Sequence, residues 1–172
     1  LRRTDGGADF VAYDLINNLN EEEISAMLWT FGEERWHNRI AHFLVEEREK
    51  RAITTTRELS DIVVKAIPHK YRHYRIHPAT RTFQAVRIAV NRELETIGTG
   101  ISKAIELLDS QGRICVISFH SLEDRIAKFS FRKFAASGNI KIITPKPLTP
   151  AEAEVRENAS SRSSKLRVAE KI

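Results

Sequence analysis

The chain predicts a mixed α/β protein, an all-helical part followed by part of an α/β sheet. Three observations carry this. Residues 12–67 contain apolar positions at helical spacing and no strand pattern. Residues 113–169 read as strand, helix, strand, short helix, strand. The first of those strands, Arg113 to Ile117, is an apolar run with β-branched residues, the pattern of a strand buried on both faces. Three strands are too few for a whole doubly wound domain, so the sheet is expected to be partial.

Taken in order, Leu1 to Phe10 is polar and Gly-bearing and reads as a loop. Ala12 to Asn17 forms a short helix. Asn20 and Glu23 have capping-box spacing and open a helix over Glu21–Phe31 that stops at Gly32. The next helix runs from about Glu33 to Lys50, with Trp36, Ile40, Phe43 and Leu44 as its apolar stripe. Arg35, Arg39 and His42 lie on its opposite side as candidate phosphate contacts or solvated charges. Thr55 and Glu58 make a second capping box, and Leu59, Ile62, Val63, Ala66 and Ile67 form the apolar face of a helix ended by Pro68.

His69 to Pro78 reads as a loop. Its His69, His73 and His77 are spaced four apart, but prolines frame the segment and it offers no carboxylate or thiol, so no metal site is expected. Ala79 to Ile97 reads as one long helix with the stripe Phe83, Val86, Val90, Leu94 and Ile97. Arg87 sits at the edge of that stripe and needs either a partner or a groove. Gly98-Thr99-Gly100 is expected to interrupt the helix before it resumes over Ile101–Leu108. Gln111-Gly112 turns into the strand. Beyond it come a helix over Leu122–Ala136 packing through Ile126, Phe129 and Phe134, a strand over Ile140–Thr144, a proline-marked loop, a short helix over Ala151–Asn158 and a last strand over Lys165–Ala169.

The 172 residues suffice for one domain, or a domain with a subdomain. With 41% hydrophobic and 30% charged residues the chain suits a soluble protein, and no apolar run has the length of a membrane span. There is no signal peptide, and the first residue is Leu1, so polypeptide upstream is expected. The single cysteine, Cys115, cannot form an internal disulfide and reads as a small core residue; a reducing, cytoplasmic compartment fits. The net charge of +5 is unevenly distributed. From His69 to Arg92 there are six Lys and Arg residues and no acid, interleaved with Tyr71, Tyr74 and Phe83. Cations with aromatics suit single-stranded nucleic acid.

Chemistry concentrates where the first strand ends, at Ser118, His120, Glu123, Asp124 and Arg125. The carboxyl end of a strand is the usual ligand position in an open α/β sheet. A plainer reading also applies: Ser121 and Asp124 have capping-box spacing, and acids suit a helix N-terminus. No P-loop, dinucleotide loop, Cys-x-x-Cys, nucleophile elbow or zinc-protease helix is present. The lone Gly-x-Gly, Gly98 and Gly100, follows a helix.

Four segments then carry a resemblance. They are Gly32-Glu33-Glu34-Arg35 with Arg39-Ile40-Ala41 and Ile53-Thr54-Thr55-Thr56; the run from Arg75 to Leu94 containing His77-Pro78-Ala79-Thr80-Arg81-Thr82-Phe83-Gln84; Ile117-Ser118-Phe119-His120-Ser121-Leu122-Glu123-Asp124-Arg125; and the closing run from Arg162 to Glu170. In this order they resemble the ribosomal small-subunit RNA cytosine-N4 methyltransferases, the MraW family, along nearly the whole chain.

The resemblance implies a class I, Rossmann-like methyltransferase sheet with an inserted helical subdomain. Residues 1–11 would be a loop from the first half of the catalytic domain, 12–97 the inserted, RNA-recognising subdomain, and 98–172 the later part of the catalytic domain. It implies transfer of a methyl group from S-adenosylmethionine to N4 of a cytidine in the decoding region of the small-subunit (16S) ribosomal RNA. The family's glycine-rich cofactor loop precedes the part present here, so no residue of this chain is assigned to the cofactor. Leu1 to Asp5 resembles the tail of the following loop, with Arg2-Arg3 departing from its Met-containing pattern. The chain alone is expected to be inactive, whether as a fragment or as a degenerate gene product. The expected catalytic positions are Ser118 and His120 on the base side of the pocket, ordered by Glu123 or Arg125. Arg75, His77, Arg81 and Arg87 would hold RNA. The expected partner is the small-subunit RNA or assembling subunit, without a membrane and with homo-oligomerisation left open. The alternative is an RNA-binding module without catalysis.

Overall fold

The computed structural model describes residues 11–72 and 76–172. The described chain divides into two compact units, one ending at Glu93 and the other beginning at Leu94.

The first unit is helical: α1 (Ala12–Asn18), α2 (Glu21–Gly32), α3 (His37–Lys50), α4 (Thr56–Ala66) and α5 (Thr80–Asn91), with a 3₁₀ turn at His69–Tyr71. Both expected capping boxes form. Asn20 Oδ1 accepts the Glu23 N–H at 2.9 Å while Glu23 accepts the Asn20 N–H at 2.8 Å. Thr55 and Glu58 repeat this at 3.1 and 3.0 Å. The stripes of these helices meet in one core, where Ile24, Leu28, Ile40, Leu44, Val63 and Ala85 are fully buried.

Helix α2 ends differently from the sequence expectation. Gly32 is its last helical residue, and Glu33 takes the left-handed conformation, φ 47°. Glycine usually fills that position. Here it is used one residue earlier, because a Cβ on Gly32 would lie 2.7 Å from the Arg81 carbonyl oxygen of α5. Residues 33–36 therefore form a turn, and α3 starts at His37, later than expected.

The long helix expected over Ala79–Ile97 is broken, but at Arg92 (φ 49°) and not at the glycines. Glu93 pins the break by accepting from Arg87 Nε at 3.0 Å, Arg87 Nη2 at 3.0 Å and Asn91 Nδ2 at 3.0 Å. Helix α6 (Glu93–Leu107) then runs straight through Gly98 and Gly100. A glycine inside a helix lowers its stability by about 1 kcal/mol but does not forbid helical φ/ψ. The stripe is thereby divided: Val86 and Val90 belong to the first core and Ile97 packs on the second.

The second unit continues with β1 (Arg113–Ser118), α7 (Ser121–Ala136), β2 (Ile140–Ile142), α8 (Glu152–Glu157), a 3₁₀ turn at Ala159–Ser163 and β3 (Lys165–Lys171). The strand order is β1-β3-β2, and β3 is antiparallel to both neighbours. β1 and β2 are therefore parallel to each other, with α7 connecting them and β3 inserted between. Helix α7 covers one face, where Ala127 and Phe131 pack with Ile101, Ile105, Ile140 and Ala169. Phe129, expected in this packing, is instead 56% exposed, because the inward phase of α7 runs through Ala127 and Phe131.

β1 is not buried on both faces. Ile114, Val116 and Ser118 point to the α7 side, while Arg113, Cys115 and Ile117 alternate outward. Ile117 is 61% exposed, and Cys115 is exposed instead of being a core residue. The physical reason is that nothing among the described residues covers that face, and β1 is also the sheet's edge. Apolar surface is thus open beside β1.

Candidate functional site

The chain leaves β1 at Ser118, crosses Phe119 and enters α7 at Ser121. Within those few residues the backbone needs acceptors for the N–H groups of the first helical turn. The side chain that answers the Glu123 N–H is that of His120. His120 is the N-cap, and its Nδ1 accepts the Glu123 N–H at 3.3 Å. Glu123 reaches back, Oε2 accepting Phe119 N–H at 2.7 Å and His120 N–H at 3.2 Å. The capping box expected from Ser121 and Asp124 is thus formed one residue earlier.

This arrangement sets the ring's chemistry. With Nδ1 accepting, neutral His120 carries its proton on Nε2. Nε2 is buried and unbonded. It lies 3.3 Å from Glu123 Oε1, near enough to pair when the ring is protonated but not aligned as a hydrogen bond. Burial pushes the Glu123 carboxyl up, but the His120 ring and the Phe119 and His120 N–H groups outweigh it and hold the carboxyl at about 2. Ser118 is buried, and its hydroxyl donates to the Lys165 carbonyl of β3 at 3.4 Å. The structure therefore brings His120 and Glu123 together just beyond the carboxyl end of β1, while the Ser118 hydroxyl is turned to β3. Arg125 is exposed on α7 beyond that turn.

Asp124, released from capping, binds Arg167 through both oxygens, Nε to Oδ1 at 2.7 Å and Nη2 to Oδ2 at 3.1 Å. Lys165 Nζ stands 3.6 Å from the same carboxylate. The Arg167 guanidinium, against the opposing effect of burial, holds Asp124 below the usual carboxylate range. Sequence reasoning missed this clamp. Its signal was an arginine in the inward phase of β3, two residues from Ala169, where an apolar side chain is the norm.

On the helical unit, Arg75 lies outside the described residues. His77 and Arg81 share a cleft of about 270 Å³ with Glu34, Arg35, Trp36, Tyr71 and Ile76. His77 Nδ1 accepts the Ala79 N–H at 3.2 Å. Arg81 is exposed and donates to the Glu33 carbonyl at the end of α2 at 3.0 Å. Arg87 lines a different hollow, beside Tyr13, Thr55 and Phe83, and its guanidinium is held by Glu93. Of the α3 cations, Arg39 donates to the Ala66 carbonyl and stands 5.2 Å from the Phe43 ring, and His42 lies 3.3 Å from Glu21. Arg35 stands over two rings, 5.6 Å from Trp36 and 5.7 Å from Tyr71.

The profile of the MraW methylase family matches residues 2–172. The chain belongs to the MraW methylase family. Among similar relatives, the ribosomal RNA small subunit methyltransferase H of Sulfurihydrogenibium sp. (strain YO3AOP1) is 49% identical over 170 residues, 99% of this chain and 58% of that protein. The protein of the same name from Persephonella marina (strain DSM 14350 / EX-H1) is 50% identical over 161 residues, 94% of this chain and 55% of that protein. That from Clostridioides difficile (strain 630) is 46% identical over 185 residues, 99% and 60% respectively. This MraW-family chain thus spans somewhat over half the length of those relatives. Its described glycines do not build a phosphate or dinucleotide cradle. Gly98 and Gly100 lie inside α6, Gly112 precedes β1, and Gly138 follows α7. No helix of the described residues is long and apolar enough to cross a membrane.

Proposed function

We propose that this chain is the later part of an S-adenosylmethionine-dependent methyltransferase acting on N4 of a cytidine in the decoding region of small-subunit ribosomal RNA, in the cytoplasm. The observation that carries the reading is the turn at the carboxyl end of the edge strand β1, where His120 and Glu123 cap each other two residues beyond Ser118. Family membership and the names of the relatives support the reaction class. The open edge of β1 and its uncovered face support a sheet that continues in the further length of those relatives, in the manner of a Rossmann-like fold, with residues 12–97 as the inserted helical subdomain. The methyl donor would be held mostly by the further length of the relatives that this chain does not span, and no step is assigned to it.

What these residues do is positioning. Methylation of an exocyclic amine requires the base to be out of its stack and fixed in line. His120, its ring fixed by the cap through Nδ1, lines the base side of the pocket. Ser118 lines the same side. Glu123 stays ionised and keeps the Phe119–His120 backbone in place, while Arg125 sits at the rim. Arg75, His77, Arg81 and Arg87 would hold the RNA, with Arg87 exchanging Glu93 for phosphate.

The test is His120→Ala in the enzyme completed to the length of its relatives. The methyl-transfer rate to small-subunit RNA, read as labelled methyl on N4-methylcytidine, should fall more than tenfold, while stability falls only by the cost of a lost N-cap, about 0.5–2 kcal/mol. Unchanged turnover removes His120 from the site. Salt-sensitive RNA binding with no transfer by the unmutated enzyme supports a binding module instead.

A further inference from the structure

The cleft on the helical unit is built unlike an ordinary charged surface. Its floor is an aromatic pair, Trp36 and Tyr71, with ring centroids 5.2 Å apart and planes tilted by 44°. The Arg35 guanidinium reaches both rings, and Lys70 Nζ stands 4.9 Å from Tyr71. Arg81 and His77 also line the cleft, as does Ile76, which is 42% exposed. At one end lies Glu34, only 3% exposed, whose Oε1 accepts the Trp36 N–H at 2.9 Å.

We propose that this cleft takes one unpaired nucleobase of single-stranded RNA, a second base-binding position apart from the methylated cytidine. The inference rests on the RNA-substrate reading above. The tilted pair leaves π-surface onto which a flat ring can slide, and Arg35 stacks on the far face of such a ring as it now stacks on the indole. The cleft's volume is at the small end of ligand pockets, enough for one base with its sugar left outside. Arg81 in the lining and Lys70 beside Tyr71 supply cations for the flanking phosphates. A carboxylate in the wall is a hydrogen-bond acceptor, so Glu34 favours bases whose edge presents an amino group. Adenine and cytosine do; uracil offers a single imino donor between two carbonyls.

Trp36 and Trp29 are the two tryptophans of the chain, so Trp29→Phe leaves Trp36 as the reporter. Emission is followed while hexamers rA6, rC6 and rU6 are titrated at fixed low salt. The cleft requires saturable quenching by rA6 and rC6, weaker binding of rU6 by about fivefold, and loss of that preference in Glu34→Gln. Arg35→Ala and Tyr71→Leu should each weaken rA6 binding by about tenfold or more, as removal of a stacking partner does, and Trp36→Phe should retain most of it. Melting curves show that each variant folds; a purely structural role for Arg35 would lower the melting temperature and leave affinity unchanged. RNA bound with Trp36 emission unaltered, and with Arg35→Ala and Tyr71→Leu binding normally, overturns the cleft and leaves the RNA reading standing. Absence of any binding to single-stranded RNA overturns the cleft too. Failure of methyl transfer alone bears only on the catalytic reading.

Discussion

The cap of α7 is made by His120 and Glu123, one residue before the Ser121–Asp124 pair that spacing suggests. The imidazole takes the cap, and the aspartate is thereby free for Arg167, a pair with the arginine 6% exposed. Removing one partner of such a buried pair leaves the other charge desolvated. Arg167→Ala should therefore lower unfolding stability by about 3–5 kcal/mol, measured by urea denaturation. The same corner sets an acid limit. Glu123 and Asp124 both have carboxyls lowered in the folded state, Glu123 to about 2. Their stabilisation is fully present above the ordinary carboxylate range and is lost as pH falls through it toward 2. Glu123→Gln should flatten the decline of melting temperature between about pH 4.5 and 2; an unchanged profile would mean the carboxylate is not held as described. The cap itself was not legible at this level. Ser and Asp are the favoured capping types, and only the path of the chain out of β1 decides that the histidine, one residue earlier, faces the helix end.

At the scale of elements, the joint between α2 and α5 depends on one missing side chain. The Arg81 backbone of α5 approaches Gly32 so closely that any Cβ must push the helices apart. Gly32→Ala gains helix propensity yet should destabilise the helical unit by about 1–3 kcal/mol, the range for overpacking, as seen in its thermal melt. A neutral result would show that α5 can shift without penalty. The break between α5 and α6 teaches a related lesson. Composition puts it at Gly98 and Gly100, whereas it occurs at Arg92, where Arg87, Asn91 and Glu93 close a hydrogen-bonded knot. Glycines permit a break; tertiary partners decide whether one is made.

Across the whole molecule, hydrophobic burial is divided between two cores, one of α1–α5 and one of α6, α7 and the sheet. Leu44, fully buried, belongs to the first. Leu44→Ala should cost that unit about 2–5 kcal/mol. Amide exchange should accelerate in residues 12–91 while Ile114, Val116 and Val168 keep their protection. Equal loss in both units would show that they unfold as one.

The sequence by itself determined which segments are helices and strands, the two capping boxes at Asn20 and Thr55, the family, and the chemical richness of Ser118–Arg125. These follow from local periodicity and short-range hydrogen bonding, which neighbours along the chain already contain. Only the tertiary structure decided the strand order β1-β3-β2, the outward turn of Cys115 and Ile117, the Asp124–Arg167 clamp and the gathering of Arg35, Trp36, Tyr71 and Arg81 around one cleft. Each of these depends on which distant residues meet. That is set by how apolar faces find partners in space, and no spacing along the chain encodes it.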